Sequence, residues 1–167
     1  MRVYIPATVA MLGTLVKAGE VAAVNSTAFA LTPALRESYS TGDAEELEYA
    51  AMLDAARASL RLLSMELDTD PDARPRRAVI AADLDDVTLR PDLDYAVVRL
   101  AGPVTMQQVA SIHVDNEVAE DAVRRAAAVI DAADMGDSDA EFTLGDAEDH
   151  ELAWYAPQEL SFLIELM

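Results

Sequence analysis

Between residues 44 and 67 the apolar side chains Tyr49, Leu53, Ala56, Leu60, Leu63 and Leu67 recur at intervals of 4, 3, 4, 3 and 4. That period winds them onto one stripe of an α-helix and does not suit a strand, whose faces alternate at every second residue. Asp43 stands where an N-cap belongs, with Glu46 three residues on and Gly42 breaking the chain just before. Asp70-Pro71 closes the helix off. Each large side chain on the stripe contributes about 1.5–3 kcal/mol when buried, so the helix must lie on something. The chain is therefore read as one α+β domain, a mixed β-sheet of about six strands with the 44–67 helix packed on it.

Four places repeat one layout, a short apolar strand and then a proline near the start of an apolar-periodic helix. They are Val3-Tyr4-Ile5-Pro6, Phe29-Ala30-Leu31-Thr32-Pro33, Val98-Arg99-Leu100-Ala101-Gly102-Pro103 and Trp154-Tyr155-Ala156-Pro157. Proline suits a first helical turn, whose amides lack intrahelical partners. Strands are expected at 2–6, 27–31, 77–84, 94–100, 111–115 and 151–155, with further helices at 8–18, 33–40, 104–110, 117–134 and 157–166. Residues 68–76, carrying Pro71 and Pro75, read as a linker, and 69–76 is where the domain would sub-divide. Residues 136–150 read as an acidic loop.

Composition narrows the function. At 167 residues and 52% hydrophobic the chain can bury a proper core and is not a disordered polymer. Aromatic residues are only 5%, so that core is aliphatic and alanine-rich. Without cysteine there are no disulfides, thiolate nucleophiles or cysteine metal sites, and a reducing cytoplasm is the default location. A net charge of −19 opposes binding to phosphate backbones and anionic membranes. Arg2 and the apolar run to Val16 look superficially like a signal peptide, but Pro6, Gly13 and Thr14 interrupt it. No stretch approaches the ~20 apolar residues of a membrane span.

The segment Val79 to Val87 reads as an apolar strand ending in Asp83-Leu84-Asp85 and resembles the first motif of haloacid-dehalogenase-type phosphatases. That resemblance implies Asp83 as nucleophile and Asp85 as general acid beside magnesium. The family's site also needs a downstream lysine, and none follows Lys17. The alternative is a hairpin about Arg90-Pro91-Asp92 that sets Asp83 opposite Arg99. His113 and Asp115 share a strand face and could orient an imidazole, but no third ligand for a metal is identifiable. There is no G-x-S-x-G elbow and no glycine-rich phosphate loop, so neither a metal nor a cofactor is expected.

A ligand site is expected only if the strands run parallel, since the four strand-to-helix junctions then gather along one sheet edge. Its candidates are Thr8, Thr32, Arg36, Gln107, Tyr155 and Gln158. The last helix, with Leu160, Leu163, Ile164 and Met167 on one stripe and Phe162 and Leu166 beside it, either wedges into the core or covers a partner. A homodimer through 157–167 would use it.

Several strings are distinctive together: Met1-Arg2-Val3-Tyr4-Ile5-Pro6-Ala7-Thr8, Thr27 to Glu37, Glu45 to Ala51 and Ala55 to Leu63. With them the chain resembles an uncharacterised family of small acidic actinobacterial proteins. The resemblance implies a cytoplasmic domain of unknown function and carries over no catalytic residue. The leading expectation is thus a non-enzymatic cytoplasmic protein-interaction module. The alternatives are a small-molecule-binding protein or enzyme using the junction edge, and an acidic mimic of nucleic acid that does not itself bind nucleic acid.

Overall fold

Small polar side chains start the helices. In a computed structural model describing residues Met1–Met167, Thr8 Oγ1 accepts the Met11 amide at 3.3 Å and opens α1 (Val9–Ala18). Thr32 does the same for Leu35 at 3.1 Å in α2 (Pro33–Ser38). Asp43 takes the Glu46 amide at 2.9 Å in α3 (Ala44–Thr69). Each such cap is worth about 1 kcal/mol. The other helices are α4 (Glu120–Asp134), α5 (Ser138–Glu148) and α6 (Leu160–Leu166).

The strands are β1 (Arg2–Ala7), β2 (Glu20–Val21), β3 (Thr27–Ala30), β4 (Ala78–Asp83), β5 (Val87–Leu89), β6 (Val97–Leu100), β7 (Val104–Thr105), β8 (Val109–Val114) and β9 (Ala153–Tyr155). Seven of them form one sheet in the order β5-β6-β3-β1-β4-β8-β9, and β2 pairs with β7 alone. The α+β class and the helix lying on the sheet agree with the sequence, but the sheet is not mixed. Every pairing is antiparallel. The reason lies after α1, where residues 19–26 turn through positive φ at Gly19, Asn25 and Ser26. That turn makes β3 run back along β1, with Ala30 opposite Val3.

The sheet must also curl. Only Leu84–Asp86 separate β4 from β5, although the two lie four strand positions apart. On a flat sheet that is about 19 Å, whereas the four Cα steps from Asp83 to Val87 reach about 14 Å at most. Leu84 and Leu100 consequently join the same core.

One face of the sheet is closed. Val3, Ile5, Ala28, Ile80, Val98 and Ile112 pack with Leu12 and Leu15 of α1 and Leu160 and Leu163 of α6. The other face receives α3, with Tyr4, Phe29, Val79, Ala81 and Val97 beneath Ala51, Met52, Ala55 and Ala56. The helix is seated by Ser59, whose Oγ donates to the Ala7 carbonyl at 2.7 Å and accepts the Ala78 amide at 3.1 Å.

The stripe of α3 differs from the expected one. Its C-terminal members Leu60 and Leu63 are buried, but against α4 and α5 rather than the sheet. Tyr49 and Leu53 are 48% and 47% exposed, because Ala51, Met52 and Ala55 face the strands in their place. Arg57 and Arg61 of α3 hold Asp134 of α4 at 3.1 and 2.6 Å, and Arg57 also holds Glu141 of α5 at 2.9 Å.

The segment 136–150 is not a loop but contains α5. Asp137 caps it by accepting the Ala140 amide at 2.9 Å, and Ala140, Leu144 and Ala147 bury one helical stripe. That stripe has only three members, two of them alanines, set among acids, so it does not stand out in the sequence.

Candidate functional site

The six junction residues do not share an edge. Because β1 and β3 are antiparallel neighbours, Thr8 after β1 and Thr32 after β3 lie at opposite ends of the sheet. Both are buried caps, and the Thr32 hydroxyl also donates to the Tyr95 carbonyl. Tyr155 packs against the closed face with α1 and α6. Arg36, Gln107 and Gln158 are exposed on separate short helical turns.

What the fold does assemble is a groove of about 380 Å³ on the α3 face, between the first turns of that helix and strands β1, β8 and β9. The register sets Tyr4, Ala81 and Ser111 in one row and Pro6, Val79, His113 and Trp154 in the next. Ala81 is small, so the floor dips between Tyr4 and Ser111. A bulge in β8 matters too, since Ala81 pairs with Ser111 but Ala82 with Val109. Unbroken alternation would place Val109 on the groove side with Ser111; the bulge turns it into the main core instead. Glu45, Glu48, Tyr49 and Met52 of α3 form the wall.

The polar groups of the groove are largely paired among themselves. Tyr4 donates its hydroxyl to Glu48 Oε2 at 3.1 Å, and its phenol is pushed up to about 12 by burial and then by the Glu48 charge. Ser111 Oγ and His113 Nε2 are hydrogen-bonded at 3.0 Å. Burial, aided by the Arg2 charge, pushes the His113 imidazolium below its usual range, so the ring is neutral near pH 7. Arg2 grips Asp83, its direct cross-strand partner, at 2.7 and 3.1 Å. That guanidinium holds the Asp83 carboxyl below the ordinary carboxylate range.

No nucleophile, base and acid are hydrogen-bonded in series in the groove. Ser111 is buried, and His113 Nδ1 meets no carboxylate that would complete a triad. The acid expected to help, Asp115, instead forms a buried two-pronged pair with Arg77 at 2.8 Å and accepts the Arg77 amide at 2.8 Å. Arg77 further donates to the His150 carbonyl at 2.7 Å. Asp83 lies opposite Arg2 and not Arg99, because the hairpin about residues 90–94 joins β5 to β6 and leaves β4 out. Asp85 is exposed in the following turn. No three His, Asp or Glu side chains converge as metal ligands would.

A second opening of about 320 Å³ lies on the other flank of α3, lined by Pro6, Val24, Phe29, Leu62 and Met65. Its one charged group, Arg61, is already tied to Asp134. It offers shape and little chemistry, so the groove is the better site. Sequence reasoning missed the groove because Tyr4, Glu48, Ser111 and Trp154 meet only through long-range pairing. The local signal was Ser111-x-His113, the same two-residue spacing that pointed to Asp115.

No helix is long and apolar enough to cross a membrane. No curated protein and no solved structure matches the chain. The chain belongs to a family of unknown function (DUF6912), whose model matches residues 1–164.

Proposed function

We propose that the protein is a non-enzymatic interaction module of the cytoplasm that docks a protein partner in the groove beside α3. The observation carrying this reading is a pair of large aromatic side chains that the fold leaves unused. Trp154 is 61% exposed and Tyr49 48% exposed, and both line the groove. Tyrosine and tryptophan supply large contact areas at small entropic cost and dominate binding energy at interfaces. The internally satisfied polar groups beside them need no partner to stay buried, which suits a surface that is open part of the time. The absence of cysteine fits a reducing compartment.

A second reading is favoured by α6. Phe162 and Leu166, one helical turn apart, are 67% and 87% exposed, and a second copy of the chain would cover them. The two readings separate by site-specific photo-crosslinking. A benzophenone side chain at Tyr49 is expected to capture one discrete partner in cells, and the same probe at Phe162 is not. Capture only of a second copy, and only from Phe162, would replace groove docking with the dimer.

A further inference from the structure

Granting that a partner docks in the groove, we infer that it inserts an arginine or lysine side chain from an extended basic segment. The groove wall carries two carboxylates, Glu45 and Glu48. Glu48 gives only Oε2 to Tyr4, and Glu45 makes no side-chain hydrogen bond, so three carboxylate oxygens remain open. The lone cation of the groove, Arg2, has its guanidinium committed to Asp83 on two bonds. His113 is neutral and does not oppose a cation.

An anion entering here would meet the like charges of Glu45 and Glu48, while Arg2 and Asp83 already neutralise each other. A neutral apolar group would strip water from Glu45 and Glu48 without replacing it. A cation satisfies both walls at once. The indole of Trp154 and the phenol ring of Tyr49 offer the faces that attract cations, with indole the strongest. Guanidinium fits better than ammonium because it is flat enough to stack and can grip a carboxylate with two parallel bonds. The rest of the segment has a place as well. β9 is the last strand of the sheet, and its outer backbone edge is unpaired beside Trp154. An extended chain lying along that edge would bring alternate side chains to the groove.

Trp154 is the only tryptophan in the chain, so its emission reports on this groove alone. Capped tetra-arginine, tetra-lysine, tetra-alanine and tetra-glutamate peptides are the probes. Tetra-arginine is expected to change the emission saturably, tetra-lysine more weakly, and the other two not at all. The double variant Glu45→Gln/Glu48→Gln should weaken tetra-arginine about tenfold, as loss of charge-assisted hydrogen bonds implies. The single variant Glu45→Gln, whose carboxylate holds nothing in the fold, should weaken it about threefold and guards against any disturbance of Tyr4. The control Asp131→Asn/Asp146→Asn, on α4 and α5, removes the same net charge and should weaken it less than twofold if the groove and not diffuse attraction is responsible. Equal weakening by the two double variants, or equal binding of tetra-alanine or tetra-glutamate, overturns the assignment. A partner captured through Tyr49 that excess tetra-arginine fails to displace would remove the cation while leaving the docking reading standing.

Discussion

The two faces of the sheet are built from alternate residues of the same strands, yet they do different work. On one, Val3, Ile5, Ile80 and Ile112 are sealed under α1 and α6. On the other, Arg2, Tyr4, Ser111, His113 and Trp154 project from β1, β8 and β9, and only α3 lies above them. That helix leans on its alanines over the middle of the sheet, so its first turns form a wall and not a lid. Two helices exclude water, and the fully buried side chains beneath them are aliphatic. Covered by α3 and by Leu35 of the short α2, this face of the seven-stranded sheet leaves β8 and β9 partly open, and polar and aromatic groups collect there without an unsatisfied buried atom.

The sharpest way to break this division is at Arg77, a buried charge outside the groove. Truncation by Arg77→Ala leaves the Asp115 carboxylate buried without its cation, and should lower unfolding free energy in urea by about 3–5 kcal/mol. A loss under about 1 kcal/mol would mean that the pair is solvated and that the buried region tolerates free charge. On the closed face Ile80→Ala should cost about 2–5 kcal/mol, because Ile80 is fully buried in the main core. A smaller loss would show that the closed face is loosely filled.

At His113 the comparison becomes one of pH. Its folded pKa lies below the ordinary 6.5 because the protonated ring is poorly solvated. The unfolded chain therefore binds the proton more readily, and the stability that neutral His113 permits is present above pH 6.5 and lost as pH falls through the folded value. Thermal melts of His113→Gln should lose part of the wild-type decline below pH 6.5. Identical profiles would place the ring in water, and the groove floor with it.

How much of this the sequence displayed depends on the range of the interaction. The helical period of residues 44–67 and the cap at Asp43 are local, and the helix and its cap stand in the structure. Strand direction is not local. The proline after each strand looks alike whether the chain returns parallel or antiparallel, and the turn at Gly19, Asn25 and Ser26 decides. The site failed for the same reason. The candidates drawn from the junctions include Tyr155 and not Trp154, yet neighbours on a strand face opposite ways. Pairing with His113 turns Trp154 to the groove, while Tyr155 packs on the closed face. The α3 face that meets the strands carries Ala51, Met52 and Ala55, which a ranking by side-chain size does not reveal.

Trp154, 61% exposed and outside the core, serves the proposed recognition and almost nothing else. Trp154→Ala should be measured for its melting temperature and for capture of the Tyr49-crosslinked partner in the same preparation. An exposed aromatic outside the core should change stability by no more than about 0.5 kcal/mol, so the melt is expected to stay within about 3 °C of wild type while capture is lost. A melt that falls as far as that of Ile80→Ala, or capture that persists unchanged, would contradict the proposed division between a face that holds the fold and a face that docks a partner.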